Sequence, residues 1–322
     1  MRKISGDQIP ADISPSVATI GFFDGVHTGH QHLIAQVVEE ARKAGLSSLV
    51  VTFDNHPRQV TTPEYIPQML TTGEEKMVKL EKTGIDACVS LHFTPQLAAL
   101  SAREFMEQML RDRLHVRKLV IGYDNRFGHN RSEGFEDYVR HGRDLGIEVM
   151  ASTPFNIDGQ AVSSSRIRRL LAAGETIEAA RCLGGPYILA GRVVEGFQLG
   201  RRLGFPTANI DMGDEPKLLP AAGVYAVKVM MEGSTEVKNA VMNIGRRPTF
   251  GGEETSVEVH VIHFEGNLYG HRVMVAVGER LRGERKFTSA EALAHQLRKD
   301  VLQAQQLFDQ EKAKTDEEKE PQ

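Results

Sequence analysis

Residues 21–30 read Gly21-Phe-Phe-Asp-Gly-Val-His-Thr-Gly-His30. Residues 17–23, which overlap the start of this stretch, form an apolar run that predicts a buried strand. Behind it, Leu33, Ile34, Val37, Val38 and Ala41 recur at helical spacing and predict a helix ending near Gly45. A glycine-rich turn from a buried strand into an amphipathic helix suits the ligand-binding end of a parallel sheet, beyond the carboxyl ends of its strands. Glycine allows close backbone approach to a ligand. A helix beginning near His30 offers free N–H groups and a positive dipole end, both suited to phosphate, and His27 and His30 can donate to the same anion. Two other readings stand beside phosphate binding: a structural turn with two surface histidines, and a metal shared by histidines three apart. The chain has no G-x-G-x-x-G and no Walker A loop.

Further strands are expected at residues 48–53, 118–123 and 147–151. Thr72-Gly-Glu-Glu75 and Ser101-Ala-Arg-Glu104 are capping boxes that open two more helices. This alternation implies a parallel sheet covered on both faces. The pattern changes near Leu183-Gly-Gly-Pro186. Strand candidates at 187–194, 223–231, 237–244, 257–264 and 272–277 then follow without intervening helices, which suggests a closed barrel or sandwich. Thr288-Ser-Ala-Glu291 opens a long helix to about residue 308. The expected organisation is α/β followed by β: a domain at 1–183, a second at 184–310, and a polar, disordered tail at 311–322.

Composition narrows the function classes. The 322 residues are 40% hydrophobic with a net charge of −4, a globular balance without the basic surplus of a dedicated nucleic-acid binder. Cys88 and Cys182 are too few for a disulfide framework, so a reducing, cytoplasmic setting is expected. Residues 1–10 carry no apolar signal core, and no apolar run approaches the roughly 18 residues of a membrane span.

A second glycine-rich loop, Gly200-Arg-Arg-Leu-Gly-Phe-Pro-Thr-Ala-Asn209, could wrap a polyphosphate. Thr207 and Asn209 supply hard oxygens of the kind Mg²⁺ takes alongside phosphate. The same residues also suit a plain turn with solvated arginines. Val257, Val259 and Val261 alternate, so Glu258 and His260 point to the opposite strand face. From the residues alone, Glu258 reads equally as a solvent-facing carboxylate.

Phe23-Asp-Gly-Val-His-Thr-Gly-His30 resembles the H-x-G-H signature of nucleotidyltransferases, in the form found in the adenylyltransferase module of bacterial bifunctional riboflavin kinase/FAD synthetases. Thr52-Phe-Asp-Asn-His-Pro57, Gly122-Tyr-Asp-Asn-Arg-Phe-Gly128 and Ser163-Ser-Ser-Arg-Ile-Arg168 agree in order, although the serines alone are simply a good helix N-cap. Pro206-Thr-Ala-Asn209 is similar to the riboflavin kinase motif. Gly223-Val-Tyr-Ala226, Asn243-Ile-Gly-Arg-Arg-Pro-Thr249, Leu268-Tyr-Gly270 and Leu281-Arg-Gly-Glu-Arg-Lys-Phe287 follow in the family's order.

The resemblance covers roughly residues 15–308. It implies a Rossmann-like nucleotidyltransferase domain with a parallel sheet, then a riboflavin-kinase-type β-barrel with a long terminal helix. It implies two reactions on small molecules: ATP phosphorylates riboflavin to FMN, and a second ATP adenylylates FMN to FAD with release of pyrophosphate. In the first module His27, His30 and Arg168 would act in catalysis. Phe22, Phe23, Asp24, Gly25, Gly29, Asp124, Arg126, Ser164 and Ser165 would bind nucleotide, and Asp54, Asn55, His56 and Pro57 would line the flavin and adenylyl site. In the second module Glu258 would be the base and Thr207 and Asn209 would hold Mg²⁺. Gly200, Arg201, Leu203, Phe205 and Pro206 would bind nucleotide, and Tyr225, Arg282 and Glu284 would meet flavin. Asp54-Asn55 stands where many members have Glu-Pro, Asn125 where an aromatic is common, and His263 and Asn267 where Asp is frequent. Three alternatives fit parts of this pattern: a monofunctional riboflavin kinase, another H-x-G-H transferase with an unrelated barrel, and a nucleic-acid-binding barrel using the paired arginines at 201–202 and 246–247. Neither nucleic acid nor membrane is an expected partner.

Overall fold

The computed structural model describes residues 1–62, 64–123, 125–195, 204–214, 216–249 and 252–317. Contacts divide the chain into two compact units, Met1–Ser164 and Ser165–Gln322. The division falls ahead of residue 183, where the sequence pattern changes, so most of the segment between 164 and 183 clusters with the second unit.

The first unit is built on a parallel sheet of β1 (Arg2–Ser5), β2 (Ser16–Ile20), β3 (Ser47–Phe53), β4 (Ala87–Leu91), β5 (Val116–Ile121) and β6 (Glu148–Ala151), in the order β1-β4-β3-β2-β5-β6. From the edge strand β1 the chain crosses to β2 near the middle, moves out through β3 and β4, then crosses back to β5 and β6. The crevice beyond β2 and β5 is therefore the topological switch point. Alternate residues of one strand go to opposite faces: Ala18 and Ile20 join one buried cluster with Leu49 and Val51, while Val17 and Val50 join Ile34 and Val37 of α1 (Thr28–Ala44) in the other. The sheet is thus covered on both faces, as the apolar strands require. Helix α1 ends where expected, with Gly45 in the left-handed region at φ 63°.

Both capping boxes form. Thr72 opens α3 (Gly73–Glu81), after the short α2 (Pro57–Thr61), with reciprocal bonds to Glu75. Ser101 likewise opens α5 (Ala102–Phe105), which follows α4 (Pro95–Ala99) and continues as a π-helical stretch through Arg113. The remaining elements of this unit are α6 (Phe135–Leu145), a hairpin of β7 (Asn156–Ile157) with β8 (Gln160–Ala161), and the first residue of α7 (Ser164–Ala173). Strand β2 ends at Ile20 rather than 23, because Phe23 is left-handed at φ 54° and cannot continue a ladder. Strands β1 and β4 were not expected: β1 is an edge strand with one buried residue in four, and its sequence carries little periodic signal.

The second unit continues through α7 and α8 (Thr176–Leu183) into a closed antiparallel barrel. Its strands are β9 (Tyr187–Val194), β10 (Ala208–Asp211), β11 (Gly223–Met231), β12 (Val237–Thr249), β13 (Gly252–Val261) and β14 (Arg272–Gly283), ordered β10-β13-β12-β11-β14-β9. Strand β10 is short and was not expected, and β13 begins earlier than the pattern at 257–264 implied. The final helix, α9 (Ala290–Glu317), corrects the reading of a disordered tail from 311. Its apolar stripe of Val301, Ala304, Leu307 and Phe308 packs on Val224, Ala226 and Val241 of the barrel, and Lys228 bridges Glu311 at 2.7 Å. The residues beyond are polar but rich in Ala, Glu and Lys, which propagate a helix once it is anchored. Residues 318–322 of that tail lie outside the described residues.

Candidate functional site

Asp24 organises the loop after β2. Its carboxylate, 3% exposed, accepts the Leu70 N–H at 2.9 Å, the Thr71 N–H at 3.0 Å and the Thr71 hydroxyl at 3.2 Å. Its backbone carbonyl accepts the hydroxyl of Ser164, the first residue of α7, at 3.0 Å. These bonds hold three residues of positive φ in four: Phe23 at 54°, Gly25 at 83° and Val26 at 41°. A β-branched residue in that region is strained, and such strain persists only where the surroundings over-determine it.

His27 caps α1, its Nδ1 accepting the His30 N–H at 3.2 Å. An accepting Nδ1 carries no proton, so in the neutral ring Nε2–H is the donor. The two imidazoles stack at 3.6 Å between centroids, and His30 meets the Phe23 ring edge-on at 5.1 Å. Nδ1 of His30 is enclosed and, among the described residues, has no hydrogen-bond partner. Burial first, then the neighbouring His27 and Lys76 charges, hold its pKa well below the usual histidine range. The close stack needs Gly29, where a Cβ would sit 3.1 Å from the Val162 carbonyl and 3.2 Å from the His27 ring.

Three expectations change here. Helix α1 begins at Thr28 rather than His30, and the His30 N–H is spent on the His27 cap, so it is not a free phosphate donor. Phe23 is a core side chain, 2% exposed, and only its backbone can meet a nucleotide. Asp24 positions the loop through its carboxylate.

The neighbouring segments converge on the same end of the sheet. The Asn125 amide donates to the Ile20 carbonyl, joining the loop after β5 to the end of β2. Asn55 clasps the Phe93 backbone in both directions, at 2.7 and 2.9 Å, so its amide serves the loop after β4 rather than a flavin. Asp54 pairs with His92 at 2.9 Å, with both side chains about half exposed. His56 caps α2 with Pro57 at its first position and packs edge-on against Phe22, their ring centroids 4.7 Å apart. Arg126 is exposed; Asp124 lies outside the described residues. Ser165 and Arg168 follow Ser164 on α7 and belong to the second unit.

Lys76 was missed in the sequence, where it reads as one polar residue of a capped helix. It is 4% exposed, and its ammonium donates to the Phe53 carbonyl at 2.7 Å, the Phe22 carbonyl at 3.3 Å and the Thr52 hydroxyl at 3.4 Å, 4.5 Å from the centroid of the Phe22 ring. Burial lowers its pKa.

In the barrel, Asn209 on β10 and Asn243 on β12 are the cross-strand partners of Glu258 on β13. Directly paired residues share a face, so the three side chains form a polar row. The Thr207 hydroxyl donates to the Glu258 carboxylate at 3.1 Å. Val257, Val259 and Val261 are buried while Glu258 and His260 are not, as the alternation implied. Thr207 and Pro206 also line a cavity of about 570 Å³ whose walls include Val259, Phe264, Leu268 and Tyr269. Asn267 lines it too, its Oδ1 accepting the Tyr269 N–H at 2.9 Å, a bond that an aspartate could make equally. Phe205 packs edge-on against His260. Gly200, Arg201 and Leu203 lie outside the described residues, as does Arg202.

Two expected flavin contacts are corrected. Tyr225 is fully buried, with its hydroxyl bonded to the Ala221 carbonyl, so it belongs to the core. The Arg282 guanidinium is engaged by buried Asp300 of α9, at 2.8 to 3.1 Å, and locks the helix to the barrel. Glu284 approaches Gly245, where a Cβ would lie 3.0 Å from its carboxylate.

The family model for FAD synthetase matches residues 9–166 and that for riboflavin kinase matches residues 183–308. A bifunctional riboflavin kinase/FMN adenylyltransferase of Pseudomonas fluorescens is 40% identical over 293 residues, covering 90% of this chain and 92% of that protein. The chain belongs to the bifunctional riboflavin kinase/FMN adenylyltransferase family. Members from Escherichia coli K12 and Bacillus subtilis are 36% and 33% identical, covering 91% and 93% of this chain and 92% and 95% of theirs. A crystal structure from Streptococcus pneumoniae, described as a macrolide-efflux protein, matches with a TM-score of 0.86 at 32% identity over 95% of this chain and 99% of that one. Among the described residues no helix is long and apolar enough to cross a membrane. Both domains of the bifunctional family are present in order, which favours the bifunctional reading over a kinase alone.

Proposed function

We propose that this chain converts riboflavin to FMN and FMN to FAD, each step consuming one ATP, in a reducing cytoplasmic setting consistent with its two buried cysteines, neither in a disulfide. The observation that carries the reading is the pair of separate polar clusters, one around His27 and His30 and the other around Glu258.

In the barrel, the Glu258 carboxylate accepts the proton of the riboflavin 5′-hydroxyl, which is barely ionised at neutral pH and needs a base. The cavity beside Thr207 has apolar walls and a few polar groups, a setting suited to a flat nucleoside base. Thr207, Asn209 and Glu258 present hard oxygens close together, a donor set that fits Mg²⁺. Thr207 and Asn209 would hold the ion, which supplies charge neutralisation on the phosphates.

In the first module the attacking group is the FMN phosphate. It is already ionised near neutral pH, with a second pKa of about 6, so no strong base is needed. Its oxygen bonds to the α-phosphorus of ATP, and pyrophosphate leaves. The protein's work is positioning and charge stabilisation by His27, His30, Ser164, Ser165 and Arg168. The test is purified protein with riboflavin, ATP and Mg²⁺, with flavins resolved over time. FMN should rise first and FAD follow. FMN that accumulates without FAD under every reductant and metal condition would refute adenylylation and leave a kinase.

A further inference from the structure

Thr207 follows a proline. Pro206 has no N–H, so the turn that presents Thr207 cannot be pinned through that residue's nitrogen. It is pinned through the carbonyl instead: His260 Nδ1 lies 2.9 Å from the Pro206 oxygen, and the His260 ring meets Phe205 edge-on with centroids 5.4 Å apart. The Pro206 carbonyl and the Thr207 nitrogen belong to one planar peptide, so holding the oxygen fixes the plane from which the Thr207 side chain projects. That side chain donates to Glu258, and Glu258 and His260 lie two residues apart on the same face of β13. One strand face thus supplies the carboxylate and the clamp that aims the hydroxyl toward it.

We propose that His260 is a positioning residue for riboflavin phosphorylation, its Nδ1–H holding the Pro206 carbonyl so that Thr207 is oriented for the cation and the phosphates. The proposal rests on the reading of Thr207 and Glu258 as the kinase site. An outer partner that orients a metal-binding group typically changes metal affinity by about 10 to 100-fold when removed.

The test compares His260→Phe, which keeps a ring against Phe205 but loses the donor, with His260→Asn, whose amide nitrogen stands close to where Nδ1 stood. Mg²⁺ binding to protein holding ADP is measured by calorimetry, and kinase turnover is measured against Mg²⁺ at saturating ATP and riboflavin. His260→Phe should weaken Mg²⁺ binding by about 10-fold or more and raise the half-saturating Mg²⁺ by the same factor, whereas His260→Asn should stay within about 3-fold of the parent. FMN adenylylation should be unchanged in both. Should His260→Phe fail to fold, His260→Gln takes its place, since its longer amide does not put the donor where Nδ1 was. Parental Mg²⁺ affinity in the donor-less variant, or equal impairment in His260→Asn, overturns the proposal. A Thr207→Ala control separates the layers. If it is impaired while His260→Phe is not, only the clamp falls. If Thr207→Ala itself keeps parental Mg²⁺ affinity, the metal-site reading falls and the clamp with it.

Discussion

His30 is enclosed at Nδ1 and stacked on one imidazole, and its pKa is held well below the usual histidine range, first by burial and then by the neighbouring His27 and Lys76. Replacing it with alanine should cut FAD formation from FMN by about 10²-fold or more, the usual cost of one charge-stabilising donor. Riboflavin phosphorylation in the same protein serves as the folding control and should be nearly parental. The depressed pKa also has a sign. Folding favours the neutral ring, so the stability tied to His30 is complete above the ordinary histidine value of about 6.5 and drains away as pH falls through the lower folded value. Thermal melts taken from about pH 8 down to 5 should show a loss that His30→Asn lacks, and superimposable profiles would contradict it. Glu258 offers the sharpest contrast in the barrel. Glu258→Gln keeps shape and can still accept from Thr207, but cannot take a hydroxyl proton. Turnover at saturating substrates should fall by about 10² to 10⁴-fold, whereas a solvent-facing carboxylate would leave it unchanged.

At the level of elements, two basic side chains, Lys76 buried and Arg282 largely enclosed, tie helices to sheets. Lys76 joins α3 to the ends of β2 and β3 through the Phe22 and Phe53 carbonyls. Lys76→Met would leave buried carbonyls short of a donor, at about 1–3 kcal/mol each. Adenylylation should drop with that loss of stability while the kinase rate holds, and parental FAD formation would show that the strand ends need no such tie. Arg282 does the corresponding work for α9. Asp300 is 1% exposed and also accepts from Gln296 at 2.8 Å, so Asp300→Ala leaves the largely enclosed Arg282 guanidinium, 12% exposed, without its carboxylate partner. Breaking such a pair from one side costs about 3–5 kcal/mol, which chemical denaturation followed through the kinase activity would register. A change below about 1 kcal/mol would place the anchoring in the apolar stripe alone.

For the molecule as a whole, His27 and His30 belong to one compact unit and Glu258 to the other, and the proposed function gives each its own phosphate transfer. The double variant His30→Ala with Glu258→Gln should therefore lose each activity by the same factor as the single variants, measured as riboflavin phosphorylation and FMN adenylylation separately. Substantial non-additivity would indicate that the two sites are coupled. The thiols give a simple check on integrity. Cys88 is buried, and that burial pushes its pKa up to about 12; Cys182 is buried as well. Neither should react with a thiol reagent until the chain unfolds.

Local regularities were legible from the amino-acid order: the capping boxes at Thr72 and Ser101, the end of α1 at Gly45, the alternation that separates Glu258 from Val257 and Val259, and the ordered motifs of both modules. Each depends on residues a few positions apart, where helix and strand periods act directly. What only the tertiary structure decided is which distant groups satisfy one another. Asp24 looked like a nucleotide contact until its carboxylate met the Leu70 and Thr71 amides; Asn55 and Asn125 looked like substitutions in a binding site until their amides met Phe93 and Ile20. By motif position Tyr225 and Arg282 suit flavin contacts, yet one is sealed in the core and the other is matched to Asp300. Lys76 gave no signal at all. A polar side chain's role is set by the partner left to it once strands have paired and helices have packed, and strand order and register are long-range choices that no short window of sequence encodes.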